Sequence, residues 1–172
     1  MDQKTLINEP RRYIFLVFLT FTWEQWKLGD VVEVGSGRDY KHLSDGDIPV
    51  YGTGGYMRSV NKALSYSEDA IGIGRKGTID KPYLIHAPFW TVDTLFYAIP
   101  KENNALHFSL LLFQKTDWKL KNEATGVPSL TKRAITSVCF AVPNLDEQQR
   151  IGSLFASFDN LITLHQRTQM LL

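Results

Sequence analysis

From Asn144 to Leu172 the chain runs without a proline and with a single glycine, Gly152. Asn144 and Glu147 stand at N-cap and N3 spacing, a capping-box-like start, so the segment predicts one long helix. Ile151, Leu154, Phe158, Leu161, His165, Thr168 and Leu172 recur at alternating steps of three and four, a heptad seam weakened by His165 and Thr168. Helical throughout from Leu145, the segment would be about 42 Å long at roughly 1.5 Å per residue, much longer than a sheet needs for cover. With Phe155 and Ile162 the apolar face is wider than a strict seam. Part of it is therefore expected to pack on the chain's own domain and part on another helix.

What precedes that helix reads differently. "IPVYGTGGYM", "AIGIGRKGTI" and "PFWTVDTLFYAIP" are rich in β-branched and aromatic residues and are bounded by Gly and Pro, which indicates strands of a mixed, turn-rich sheet. In the last of them Trp90, Val92 and Thr94 alternate with Thr91, Asp93 and Leu95. Residues 105–121 turn helical, with Leu106, Leu110, Phe113 and Leu120 able to share a face. "NEATGVPSLTKRAI" follows as a loop shaped by Gly126 and Pro128, and "SVCFAVP" as a final strand. The expected class is α+β: a mixed, twisted, turn-rich sheet with packed helices, then a long C-terminal helix. Residues 1–22 are read as an apolar lead-in packed on the domain, since "YIFLVFLTFTW" is too short to span a bilayer and lacks a cleavage site. Residues 23–143 form the main domain and 144–172 the helix.

The stretch "IGIGRKGTIDKP" carries Gly72, Gly74 and Gly77 at G-x-G-x-x-G spacing. A dinucleotide fingerprint needs a helix after the last glycine, with its N-terminus facing the pyrophosphate. Pro82 and the strand-like "YLIHAPFW" deny it that helix. Kinase companion motifs and the Walker G-x-x-x-x-G-K-[ST] are absent, as is [DN]-P-P-[YF]. His42, His86, His107 and His165 do not stand at metal-ligand spacing, so no metal site is expected. The single cysteine, Cys139, fits a reducing compartment, and its strand context suggests buried packing. The formal net charge of +1 decides nothing about partners, but residues 115–133 hold five cations (Lys115, Lys119, Lys121, Lys132, Arg133) against Asp117 and Glu123.

An ordered set of segments resembles the specificity subunits of type I restriction-modification systems, one target recognition domain with its following helix. The set is "WEQWKLGDVVEVGSG", "IPVYGTGGYM", "IGIGRKGTIDKP", "FWTVDTLFYAIP", "TGVPSLTKRAI" and "VPNLDEQQRIGSLFASFDNLI". Family members usually carry two recognition domains and two helices; this sequence shows one of each. The resemblance implies a non-catalytic, cytoplasmic chain that reads one half of a bipartite site on double-stranded DNA and docks a methyltransferase subunit. S-adenosylmethionine, ATP and Mg belong on that partner and on the restriction subunit, with no cofactor and no metal in this chain. The helix would pair with another, giving a homodimer that reads an inverted repeat.

DNA recognition needs cations for phosphates and donors for base edges. Gly54 and Gly55 would let backbone approach DNA, with Arg58 as a reader. Arg75 is suited to guanine N7 and O6, and Lys76 to a phosphate. Thr125, Ser129 and Lys132 are candidates for phosphate or sugar. Each also has a plain structural reading, as a glycine turn, an exposed charge or a covering loop. Trp90 reads as core. On the helix, Ile151, Leu154, Phe158, Leu161 and His165 are the expected interface. Two other classes stay open on sequence: a nucleotide-dependent enzyme using Gly72 to Gly77, and an interaction adaptor left from a split specificity gene.

Overall fold

The computed structural model describes residues 23–169; the expectation for residues 1–22 lies outside them. The chain enters through β1 (Glu24–Lys27), a single helical turn α1 (Leu28–Val31) and β2 (Val32–Ser36). A hairpin of β3 (Ile48–Gly52) and β4 (Gly55–Val60) follows, then β5 (Ala70–Gly74), β6 (Tyr83–Ile85), β7 (Trp90–Thr91) and β8 (Leu95–Pro100). Helix α2 (Leu106–Lys115), a 3-10 turn (Lys119–Lys121), α3 (Lys132–Thr136), β9 (Cys139–Val142) and α4 (Leu145–Gln169) complete it. An antiparallel sheet runs β2-β8-β5-β6, a mixed sheet β4-β3-β7 has β3 and β7 parallel, and β1 pairs with β9 across the chain. The class is α+β with a long C-terminal helix, as expected.

All five residues of β5 are buried, which follows from its place between β8 and β6 with cover on both faces. Ile71 and Ile73 enter a core with Leu28, Val32, Phe113 and Trp118, while Ala70 joins a second core around Val50, Phe89 and Leu95. Full burial of such side chains contributes about 1.5–3 kcal/mol each. The glycines of the strand serve close packing. A Cβ on Gly72 would lie 2.7 Å from Ile85 Cδ1, and one on Gly74 would lie 1.9 Å from the Thr78 carbonyl oxygen. Beyond Gly74 the chain passes through residues 75–82 into β6 without forming a helix, so these glycines shape a strand and a turn.

Four local expectations are corrected. The 105–121 helix ends at Lys115, because Trp118 turns inward and donates its indole N–H to the Phe113 carbonyl (2.7 Å). Leu120 is consequently left exposed. The loop ending at Ile135 closes in α3, capped by the Thr131 hydroxyl, which accepts from the Ala134 N–H (3.1 Å). "FWTVDTLFYAIP" is two strands, since the Leu95 N–H bonds the Val92 carbonyl (2.9 Å) and makes a turn of residues 92–95. Cys139 is exposed. Val138, Phe140 and Val142 take the core side of that ribbon.

Helix α4 spans 25 residues, about 38 Å at roughly 1.5 Å per residue. Asn144 Oδ1 accepts the Glu147 N–H (3.0 Å), confirming the cap. The Glu147 carboxylate is used elsewhere, as acceptor for the Trp23 indole (3.3 Å). Buried Gln148 donates to the Pro143 carbonyl (2.9 Å) and accepts from the Ala105 N–H (3.0 Å). One turn on, a Cβ on Gly152 would come within 2.9 Å of His107 Cβ and the Phe108 nitrogen, so α4 rests directly on the start of α2. Among the described residues no helix is long and apolar enough to cross a membrane.

A methyl group at Gly74 meets backbone, whereas Gly54 has nothing within 4 Å of an added Cβ. Gly74→Ala should therefore cost about 1–3 kcal/mol of stability, the usual range for an overpacked site. Gly54→Ala should stay within about 0.5 kcal/mol of the parent. Urea unfolding midpoints of the two variants check both values.

Candidate nucleic-acid interface

Five of the eight DNA-contact candidates lie in two segments that are distant in sequence and joined by backbone. The end of β5 delivers Arg75 and Lys76 into an exposed turn, where Gly77 takes a φ of +87° that suits glycine. The Gly77 N–H donates to the Pro128 carbonyl and the Leu130 N–H to the Arg75 carbonyl, both at 2.9 Å, and Lys76 bridges to Ser129. Arg75, Lys76, Ser129 and Lys132 thereby line one cleft of about 390 Å³, closed by Ser36, Phe96, Leu130 and Thr131. Thr125, the fifth, is exposed further along the same loop and outside the cleft lining.

The 122–131 loop is organised from inside. Asn122 Oδ1 accepts the N–H groups of Ala124 (3.1 Å) and Ser129 (2.9 Å), and its Nδ2 donates to the Ala124 carbonyl (2.8 Å). A second tie is ionic: Lys119 Nζ lies 2.8 Å from Asp80 Oδ2. The Lys119 hydrogen bond holds the Asp80 carboxyl below its ordinary value, and the same bond raises the ammonium. The tie is thus complete between the two titrations. It is lost as pH falls through the lowered carboxyl value or rises through the raised ammonium value.

Arg75 is posed by three contacts. Its N–H donates to the Thr94 carbonyl (2.8 Å), its Nη1 to the Asp93 carbonyl (3.3 Å), and its guanidinium carbon stands 5.8 Å from the Phe96 ring centroid. Among the described residues neither it, Lys76 nor Lys132 forms an ion pair. Arg58 differs: its guanidinium pairs with Asp45 and lies 5.9 Å from the Tyr40 ring centroid, which engages it within the chain.

Gly54 and Gly55 belong to a neighbouring cleft of about 420 Å³ that also includes Tyr40, Gly52, Tyr56, Met57, Asp93 and Thr94. Register between β3 and β4 shifts at Val50/Tyr51, leaving Met57 as the extra residue of a bulge that bends the hairpin. Tyr83 anchors the tip by donating to the Gly52 carbonyl (2.6 Å), and burial pushes its phenol well above the usual value. The 92–95 turn joins the two clefts, so they form one continuous face. Local spacing gave no sign of Ser36 and Phe96 in this face; the β2–β8 register places them opposite one another there.

On α4, Ile151 is partly buried and packs against the first core. Leu154, Phe158, Leu161 and His165 are exposed. With Phe155, Ile162 and Leu164 they leave apolar side chains from 46% (Phe155) to 63% (Leu164) accessible. No group of three or more His, Cys, Asp or Glu suited to a metal occurs among the described residues.

Residues 21–171 match the type I restriction modification DNA specificity domain. The chain belongs to that family. No curated protein matches this specificity domain. Among solved structures it is similar to a chain from a study of complex assembly and conformational transition in the type I R-M system. The TM-score is 0.66 at 14% identity, over 86% of this chain and 41% of that one. The S subunit of the type I restriction-modification system from M. genitalium gives 0.66 at 12% identity, over 91% and 41%. The HsdS subunit from Thermoanaerobacter tengcongensis gives 0.62 at 15%, over 86% and 40%. These likenesses establish the fold, and the specificity domain spans about two fifths of each of those chains.

Asn122→Ala removes three hydrogen bonds that hold the 122–131 loop. A loss of about 1–3 kcal/mol is expected, with faster amide exchange at Ala124 and Ser129 than in the parent. Native-state hydrogen exchange measures it.

Proposed function

We propose that this specificity domain reads one half of a bipartite double-stranded DNA target and is itself non-catalytic. The observation that carries the reading is the backbone bridge between residues 75–77 and 128–130, which gathers Arg75, Lys76, Ser129 and Lys132 around one cleft. Three cations without an ion-pair partner among the described residues supply phosphate attraction, and a guanidinium held by the Asp93 carbonyl is preorganised for a base edge. Arg75 addresses guanine through N7 and O6; Lys76 and Lys132 address phosphates; Ser129 and Thr125 address phosphate or sugar. Gly54 and Gly55 bring the hairpin backbone close to the duplex.

The exposed stripe of α4 is where a second helix packs. In a homodimer the pair of helices would set the distance between two recognition domains, and the complex would read an inverted repeat. The same assembly docks the methyltransferase subunit, in the cytoplasm, and S-adenosylmethionine, ATP and Mg act on the methyltransferase and restriction subunits. Leu154, Phe158 and Leu161 support this because so large an apolar stripe on a single helix is costly to leave in water.

Co-expression with the methyltransferase subunit of the same system, followed by mapping of methylated sites, tests the whole reading. A complex that methylates no defined site would overturn it. Within that assay, Arg75→Ala should cost about 1–3 kcal/mol of discrimination at one base pair. Lys132→Ala should weaken all sequences alike and reduce the salt slope by about 0.9. Equal weakening by Arg75→Ala would make it a phosphate contact. Leu154→Asp combined with Phe158→Asp should convert a dimer into a folded monomer by light scattering, and an unchanged dimer removes the helix-pair arrangement.

A further inference from the structure

One acidic residue sits in the middle of this face. Asp93 occupies the first central position of the 92–95 turn, with an exposed side chain. The turn is locked on every side. Its Thr94 carbonyl accepts the Arg75 N–H (2.8 Å), the Val92 N–H donates to the Tyr51 carbonyl (3.0 Å), and a Cβ on Gly37 would fall 1.9 Å from the Val92 carbonyl oxygen. Asp93 is also the point at which the two clefts meet. It lines the hairpin cleft, and its carbonyl holds the guanidinium of Arg75, which lines the other.

An aspartate in a turn commonly earns its place by bonding the backbone two residues on, from the position before the central pair. Asp93 stands one place later. Among the described residues its carboxylate accepts no hydrogen bond and forms no ion pair, although Arg75 and Lys76 are its neighbours. On a surface that attracts phosphates, such a charge weakens non-specific binding; it becomes useful against a base edge that only donates. Cytosine N4 is that edge in the major groove. Adenine sets an acceptor, N7, beside its donor, and guanine and thymine present acceptors.

Resting on the DNA-reading assignment above, we propose that Asp93 is a specificity-determining residue that accepts from cytosine N4. It works beside Arg75 on guanine, the two reading one G·C pair or two adjacent pairs. Arg75 and Asp93 then divide the work by charge, the cation taking the acceptor-rich base and the anion the donor base.

The assembled complex is tested by selection from a randomised double-stranded oligonucleotide pool, with parent, Asp93→Ala, Asp93→Asn and Arg75→Ala in parallel. In the parent pool a cytosine preference is expected within one pair of the guanine that Arg75→Ala relaxes. Asp93→Ala should reduce that cytosine preference roughly 5- to 150-fold, the ratio equivalent to about 1–3 kcal/mol. The guanine preference should persist. Asp93→Asn, which adds a donor beside the acceptor, should move the position toward adenine. Thermal unfolding of each variant confirms that it is folded. If both Asp93 variants bind every sequence more tightly with preferences unchanged, Asp93 is a repulsive surface charge and the proposal fails, while the DNA-reading assignment stands. If the parent selects no sequence, both fail.

Discussion

The face assigned to DNA depends on the burial of β5 on both sides. A strand with no exposed residue must have every backbone group paired and every neighbour close, which leaves its end little freedom of direction. That end is where Arg75 begins. The turn of residues 75–77 leaves a fixed point and is caught at once by the carbonyls of Thr94 and Pro128. A polar surface built on loops acquires the definition of a strand by this means, and base reading demands it, because a displaced donor forfeits most of its discrimination.

Much of the fold was legible because its signals are local. Asn144 with Glu147, followed by an unbroken run, marks the start of a long helix, and the cap forms as that spacing requires. Gly and Pro punctuation delimits strands from 48 to 100 within a few residues. Failures occur where a distant partner decides. Trp118 ends α2 by folding back on Phe113, Thr131 caps a helix hidden in a loop-like stretch, and Cys139 is exposed on its ribbon. Periodicity within a segment cannot report which side the rest of the chain will cover.

The site shows the same division. Arg75, Lys76, Ser129 and Lys132 were found as separate turn and loop residues, and their meeting in one cleft is a long-range fact. Asp93 was visible only as an acidic residue in an apolar strand, because the turn that exposes it depends on Gly37 packing beneath Val92. The pairing of Arg58 with Asp45 is likewise a long-range fact, absent from its sequence context. Ile151 carries the seam periodicity of the helix yet packs against the domain core, since Gln148 and Gly152 have already committed that turn to α2.

The glycines of β5 are spent inside the sheet, while the side chains assigned above to DNA stand beyond it, exposed. Stability and the proposed recognition are therefore held by different atoms of one short stretch. On the proposed reading, exchange of Arg75 or Lys76 for another polar residue would alter the message presented and leave the scaffold nearly untouched. On that reading, a lineage that changed its target would face few folding casualties along that path. The strand acts as a type holder in which the letters are interchangeable.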